Sequence, residues 1–172
     1  SVNEGFILTD TRSYALTAVD FFRRIKKVAV TGTFDPFTKG HSYLVQRAKE
    51  MFDKVHIVIL RNEKKTSMLS EQTRKELAEL ATENAIVDTY EGFTVDYCNN
   101  NDIKYIIRGT RGPQDTAYEL EMAEYNLKHG NIITLIIPSI DQISSTEVKR
   151  RLYEGLPIDG MVDEKIKEKL TN

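Results

Sequence analysis

Five short polar clusters each follow an apolar run. They are Gly32-Thr33, Lys64-Lys65, Gly92-Phe93-Thr94, Arg108 with Arg111 in RGTR, and Ser144-Ser145-Thr146. The first opens the stretch VAVTGTFDPFTKGHSYLVQRA, in which His41 follows Thr33 by eight residues and stands at the start of an amphipathic segment. A guanidinium engages phosphate oxygens two at a time, and a lysine supplies a point charge. A helix N-terminus offers free N–H groups to an anion. Cations, hydroxyls and helix starts that recur after successive strands therefore predict a rim that holds several phosphates.

What is missing narrows the chemistry. No Gly-x-x-x-x-Gly-Lys-Ser/Thr loop is present, and TGTFDP is not the Gly-x-Gly-x-x-Gly turn of a dinucleotide reader. His41, His56 and His129 lie far apart and lack zinc-ligand spacing. No serine-centred nucleophile elbow occurs. The one cysteine, Cys98 in VDYCNN, has no histidine near it in sequence, which predicts a structural thiol.

The elements that must position these residues follow a regular order. The runs VAVTG, VHIVIL, AIVDTY, KYIIRG and NIITLIIP are continuous rather than alternating, as in strands covered on both faces. Helical patterns separate them: HSYLVQRAKEMF, SEQTRKELAELATEN with Ser70 as N-cap, the short TVDYCNNN, DTAYELEMAEYNLKHG from Asp115 to Gly130, and SSTEVKRRLYEG with Ser144 and Glu147 as a capping box. A charged terminal helix, DEKIKEKL, is expected on the surface. Strands alternating with helices predict an α/β fold, an open, doubly wound five-stranded parallel sheet. Its ligands bind at the carboxyl ends of the strands, near the point where strand order reverses. Residues 1–27 read as an N-terminal extension or linker, helical from the spacing of Leu16, Val19 and Ile25, and residues 28–172 as the domain proper.

The chain has 172 residues, 40% of them hydrophobic, enough for one domain with its own core. Its 24 basic and 26 acidic residues leave a net charge of −2, which gives no general attraction to nucleic acid or an anionic membrane. No apolar run approaches the ~18 residues of a membrane span. One cysteine cannot form an internal disulfide, and a cytoplasmic setting is expected.

The segment GTFDPFTKGH resembles the Thr/His-x-Gly-His motif of the nucleotidylyltransferase superfamily, here Thr38, Lys39, Gly40 and His41. IRGTR, AYELEMAEYN and ISSTEVKR are similar, in the same order, to later motifs of the phosphopantetheine adenylyltransferase family, so the resemblance covers about Val28 to Val162. It implies a Rossmann-like fold and a reaction in which ATP and 4'-phosphopantetheine give dephospho-coenzyme A and pyrophosphate. It implies Mg²⁺ bound mainly through the ATP phosphates, a homo-oligomer (hexameric in the family), and coenzyme A as an inhibitor.

The same resemblance assigns roles. His41 stabilises the transition state at the α-phosphate, and Thr33 touches both reacting phosphates. Phe34 lies along the nucleotide, while Gly109, Thr110 and Arg111 line the ATP site and Arg111 assists catalysis. Glu119 binds the nucleotide, and Ser144, Ser145 and Thr146 cradle the β- and γ-phosphates. Lys65 and Arg108 hold the acceptor phosphate, and Thr94 lines the pantetheine arm. Three positions depart from the family pattern: Thr31 replaces a frequent proline, SIDQ is a short loop without the usual aromatic residue, and Thr94 is polar where an aliphatic is common. Two other readings stay open at this point: a related nucleotidylyltransferase with a different phosphorylated acceptor, and a silent nucleotide- or coenzyme A-binding module.

Overall fold

The structure is a computed structural model, and it describes residues 5–14, 17–61 and 66–172. The five apolar runs form β3 (Lys27–Gly32), β4 (Lys54–Leu60), β5 (Ile86–Tyr90), β6 (Tyr105–Thr110) and β7 (Ile133–Pro138). They pair in parallel in the order β5-β4-β3-β6-β7. The chain works outward from β3 to one edge, then returns to start the other half at β6. The order therefore reverses between β3 and β6, at the centre of the sheet.

Helices cover both faces, as double winding requires. α1 (Lys39–Met51), α2 (Glu71–Ala81), α5 (Ser145–Tyr153) and α6 (Glu164–Thr171) pack on one side, against Val28, Val30, Ile57, Ile59 and Ile107. α3 (Thr94–Asn100) and α4 (Pro113–Gly130) lie on the other, over Ala29, Val58 and Ile106. Residues 28–30 alternate between these two cores, the period-2 signature of a strand buried on both faces. Cys98 sits fully buried in the second core, and burial pushes its thiol up to about 12, so it stays protonated as a small apolar side chain. His56 is also buried there, with Nδ1 2.9 Å from the Tyr97 hydroxyl, which donates to Asp88 at 2.5 Å.

Caps were legible in part. Ser70 accepts from the Thr73 N–H, and Ser144 from that of Glu147. The reciprocal half of the second box is absent, because the Glu147 carboxylate turns to Arg150 and Arg151 instead. α4 begins at Pro113, ahead of Asp115, with proline at the position where a missing N–H costs nothing. α6 is charged but not wholly on the surface, since Ile166 is fully buried.

The N-terminal expectation is corrected. Residues Phe6–Tyr14 and Thr17–Arg24 form strands β1 and β2 of an antiparallel pair, with register Phe6 to Arg24 through Tyr14 to Thr17. Leu16, on which the helical spacing relied, lies outside the described residues. The segment is rich in threonine, valine, tyrosine and phenylalanine. Such β-branched and aromatic residues suit a pleated ribbon better than a helix, and three spaced apolar residues were too few to outweigh them.

Candidate active site

A cleft of about 650 Å³ opens at the carboxyl ends of β3 and β6. Its position follows from the sheet. The β3–β6 ladder stops at Val30–Ile107, while β3–β4 pairing continues to Gly32 and β6–β7 pairing to Thr110. Past Val30 the two central strands no longer bond to each other. The Thr31 carbonyl accepts from Arg108 Nη1 instead.

The loop after β3 shapes the floor. A Cβ on Gly32 would lie 3.2 Å from the Phe34 ring, so glycine is what lets the loop fold back on itself. Phe34 has φ 50°, a left-handed conformation rare for a bulky residue, and it is almost fully buried. Such backbone strain persists where surrounding packing holds it, and it clusters at ligand sites. Here the ring packs edge-on to His41 at 4.8 Å and tilted to Phe37 at 5.4 Å. Arg74 Nη1, from α2, donates to the Thr33 carbonyl at 2.8 Å and ties the loop down.

His41 does two things at once. Its Nδ1 accepts the Thr38 N–H at 2.9 Å, and its own N–H donates to Thr38 Oγ1 at 3.4 Å, a capping box with histidine in the usual Glu or Gln place. Because a backbone N–H can only donate, Nδ1 must carry the lone pair. The ring proton is then on Nε2, which leaves a neutral hydrogen-bond donor. Burial lowers the His41 pKa to about 3, with Arg108 and then Arg111 pushing the same way. At neutral pH the imidazole is therefore an oriented N–H donor, not an acid.

The cations of the cleft are held by carboxylates. Glu119 accepts from Arg108 Nε and Nη2 at 2.8 Å each, Asp115 accepts from Arg111 Nε at 3.0 Å, and Asp35 accepts from Lys149 Nζ at 3.3 Å. Burial works against the charge on Arg108, but the Glu119 hydrogen bonds and charge outweigh it and the pKa rises. Asp35, itself buried, also takes the N–H groups of Met68 (2.8 Å) and Leu69 (2.9 Å). In the expected rim of cations and hydroxyls, the cations Arg108 and Arg111 are thus paired with carboxylates, as is Lys149. α5 closes it: Ser145 Oγ donates to the Pro36 carbonyl at 2.9 Å, and the Ser144 hydroxyl caps the helix. What α5 can offer an anion is its first-turn N–H groups and Thr146.

Most residues singled out in the sequence converge. Thr33, Phe34, His41, Arg108, Gly109, Arg111, Glu119 and Ser144–Thr146 all line the cleft. Thr110 is adjacent, but its hydroxyl is turned to Thr116 at 2.7 Å and to the Gly112 carbonyl at 3.0 Å. Thr94 does not line the cleft: it opens α3 after β5, the edge strand farthest from the break between β3 and β6. Lys64 and Lys65 lie outside the described residues. Thr38, the first residue of the Thr/His-x-Gly-His motif, lines the site as well, whereas sequence reasoning missed Asp35, Lys149, Gln114 and Tyr118, which also line it. Only Lys149 carried a usable signal, one helical turn beyond Ser145 on the same face.

The fold is one that nucleotidyl-transferring proteins share. A family model described as cytidylyltransferase-like matches residues 29–151. A putative nicotinate-nucleotide adenylyltransferase from Vibrio parahaemolyticus shares the fold, with TM-score 0.63 and 18% identity over 86% of this chain and 100% of its own. The phosphopantetheine adenylyltransferase of Coprothermobacter proteolyticus is 37% identical over 158 residues, 84% of this chain and 96% of the relative. That of Clostridium novyi is 35% identical over 148 residues, 82% and 92% of the two chains. The chain belongs to the phosphopantetheine adenylyltransferase family.

Proposed function

We propose that the cleft joins ATP to 4'-phosphopantetheine by direct in-line displacement. An oxygen of the acceptor phosphate forms a bond to the α-phosphorus of ATP, the bond to the bridging oxygen breaks, and pyrophosphate leaves. Dephospho-coenzyme A is the other product. A phosphate monoester has its second pKa near ~6 and is mostly ionised at neutral pH, so its attack needs no general base. Pyrophosphate is stable as an anion, so the departure needs no strong acid. The task is to hold two anions together and stabilise charge at the α-phosphate.

One observation carries this reading: the neutral His41 imidazole, pinned through Nδ1 by Thr38, lines the same cleft as Arg108, Arg111 and the start of α5. Its Nε2–H donates to the α-phosphate as charge develops there. Arg108 grips the acceptor phosphate, with Lys65 assigned beside it by family resemblance. Thr33 meets both reacting phosphates, and Phe34, Gly109, Thr110 and Arg111 serve the nucleotide. The N-terminal turn of α5, Ser144 to Thr146, takes the β- and γ-phosphates.

Mg²⁺ enters as part of the ATP complex, held by phosphate oxygens and water. In support, the acidic side chains Asp35, Asp115 and Glu119 in the cleft are already engaged by N–H donors or cations. A homo-oligomer, hexameric by resemblance, belongs to the same proposal. Tyr118, Leu120 and Leu127 on α4 and Ile133 on the edge strand β7 are exposed apolar side chains suited to a partner copy. Among the described residues no helix is long and apolar enough to cross a membrane, and we place the reaction in the cytoplasm. Inhibition by coenzyme A completes the family picture.

The test is a product assay with ATP and a panel of phosphorylated acceptors. Dephospho-coenzyme A and pyrophosphate should form in equal amounts from 4'-phosphopantetheine. Turnover of another phosphate ester, with none from 4'-phosphopantetheine, would overturn the assignment. Ligand binding without pyrophosphate release would do so as well.

A further inference from the structure

We propose that Arg74 is a positioning residue for the reaction: from behind the cleft it turns the Thr33–Phe34 peptide so that the Phe34 N–H faces the phosphates, and it sets a positive charge behind that peptide. The inference rests on the reading above that this loop meets the reacting phosphates.

Burial and partners single Arg74 out. It stands near the start of α2 and is 3% exposed. Its Nη1 donates to the Thr33 carbonyl at 2.8 Å and lies 3.5 Å from that of Leu60, at the end of β4. Its buried Nε has no acceptor among the described residues. Arg108, Arg111 and Lys149 each pair with a carboxylate, and among the described residues Arg74 has no such pair. A guanidinium keeps its charge in a protein interior, and burying one without a counter-ion is costly. Conflicts of this kind concentrate at functional sites, where an arriving ligand resolves them. The ligands expected here are anions.

The peptide that Arg74 holds gives a second argument. Thr33 and Phe34 line the cleft, and Arg74 does not. The Thr33 carbonyl therefore points back from the cleft toward α2. In a planar trans peptide the following N–H points the opposite way. That N–H belongs to Phe34, and among the described residues no hydrogen-bond acceptor meets it. Phe34 also has the left-handed φ of 50°, which lasts only where its surroundings hold it. The Arg74 bond fixes the peptide on one side of that residue. The loop thus presents to a phosphate an oriented N–H with a cation behind it.

The experiment compares wild type with Arg74→Met, which keeps an apolar stem but removes the charge and the donors. Kinetics are run where circular dichroism shows both proteins folded. kcat should fall about tenfold or more, as for a reacting group that loses its aim. The dissociation constants of ATP and 4'-phosphopantetheine should rise by no more than about threefold, since most ground-state contacts survive. Unchanged kcat would overturn the proposal, as would a loss confined to affinity.

A second readout follows the peptide itself. With phenylalanine isotope-labelled at nitrogen, the Phe34 amide resonance is identified by its loss in Phe34→Leu. In wild type it should shift when ATP binds and much less with adenosine; no response to ATP refutes the proposal without any Arg74 variant. In Arg74→Met the ATP response should shrink to the level seen with adenosine. A role limited to packing would leave that response intact, and an intact response refutes positioning. If Arg74→Met does not fold, Arg74→Lys takes its place, because a lysine keeps the charge but holds the carbonyl with one flexible ammonium. The Phe34 response should weaken there too, and an unchanged one refutes the proposal. If 4'-phosphopantetheine gives no product, the acceptor assignment falls by itself, and Arg74 is judged on the Phe34 response to ATP. If ATP does not bind either, inorganic pyrophosphate serves as the probe, with the same two outcomes.

Discussion

Acid should destabilise this protein through His41, and the size of the effect follows from how the ring is held. Nδ1 accepts the Thr38 N–H at 2.9 Å, so a second ring proton would set two N–H groups against each other. It would also place a cation in a half-buried site beside Arg108 and Arg111. Burial first, then those two arginines, lower the pKa from 6.5 to about 3. Below pH 6.5 the unfolded chain takes up a proton that the folded chain refuses, so stability falls with pH. The contribution is whole above about 6.5 and is lost as pH falls toward about 3. A gap of about 3.5 pH units at ~1.36 kcal/mol each sets a bound of ~5 kcal/mol. The ring borders an open cleft where water screens the charge, so roughly half of that, ~2–3 kcal/mol, is expected. The control is His41→Asn, whose side-chain oxygen can still accept from Thr38 but does not titrate. Urea unfolding of both proteins at pH 7, 6, 5 and 4 isolates the term, since His56 contributes equally to each. The stability of wild type relative to the variant should drop steadily below about pH 6.5. A flat difference would mean that the folded imidazole accepts a proton near its ordinary value, and the neutral-donor role would fail.

Three further outcomes follow from other contacts. Asp35→Asn removes the counter-charge of Lys149 and one of the acceptors for Met68 and Leu69, which should cost ~2–3 kcal/mol in denaturant unfolding; wild-type stability would contradict the hub role of Asp35. In Gly109→Ala the new Cβ would lie 2.9 Å from Leu44 Cδ1, so Leu44 must shift. A loss of ~1–2 kcal/mol with weaker ATP binding is expected, and unchanged melting and titration curves would refute the close approach. Tyr97→Phe deletes the hydroxyl between His56 and Asp88, leaves a buried imidazole N–H short of a partner, and should cost ~1–2 kcal/mol by thermal unfolding.

The sheet and the site's location were legible in the sequence because they rest on strong, local signals. Continuous apolar runs mark doubly covered strands, and polar residues after each run mark the ends at which ligands gather. Arg108, His41 and Ser144 were placed this way before any contact was known. Pairing was not legible. Glu119 meets Arg108 only because α4 starts at Pro113 and brings its second turn over the end of β6, a matter of tertiary registration. Asp35 read as one more charge in a loop, yet it joins the chain after β4 to α5, whose Lys149 stands 114 residues beyond Asp35. The cations stood out; of the carboxylates that hold them, Glu119 stood out by resemblance as a nucleotide contact, while Asp35 and Asp115 carried no sign of their partners. Thr94 follows a strand like the others, but strand order, which the sequence does not state, sets β5 at the sheet edge. The N-terminal segment misled because its apolar residues fit a helix at a few positions while its residue types favour strands.

The central claim is that one cleft brings two phosphates together and lets them react directly, with no enzyme nucleophile between them. The stereochemical course at the α-phosphorus of ATP tests it. With ATP made chiral at that atom by oxygen isotopes, and 4'-phosphopantetheine as acceptor, the account predicts inversion in the dephospho-coenzyme A formed. Retention would require two displacements through a covalent adenylyl-enzyme, and would contradict it.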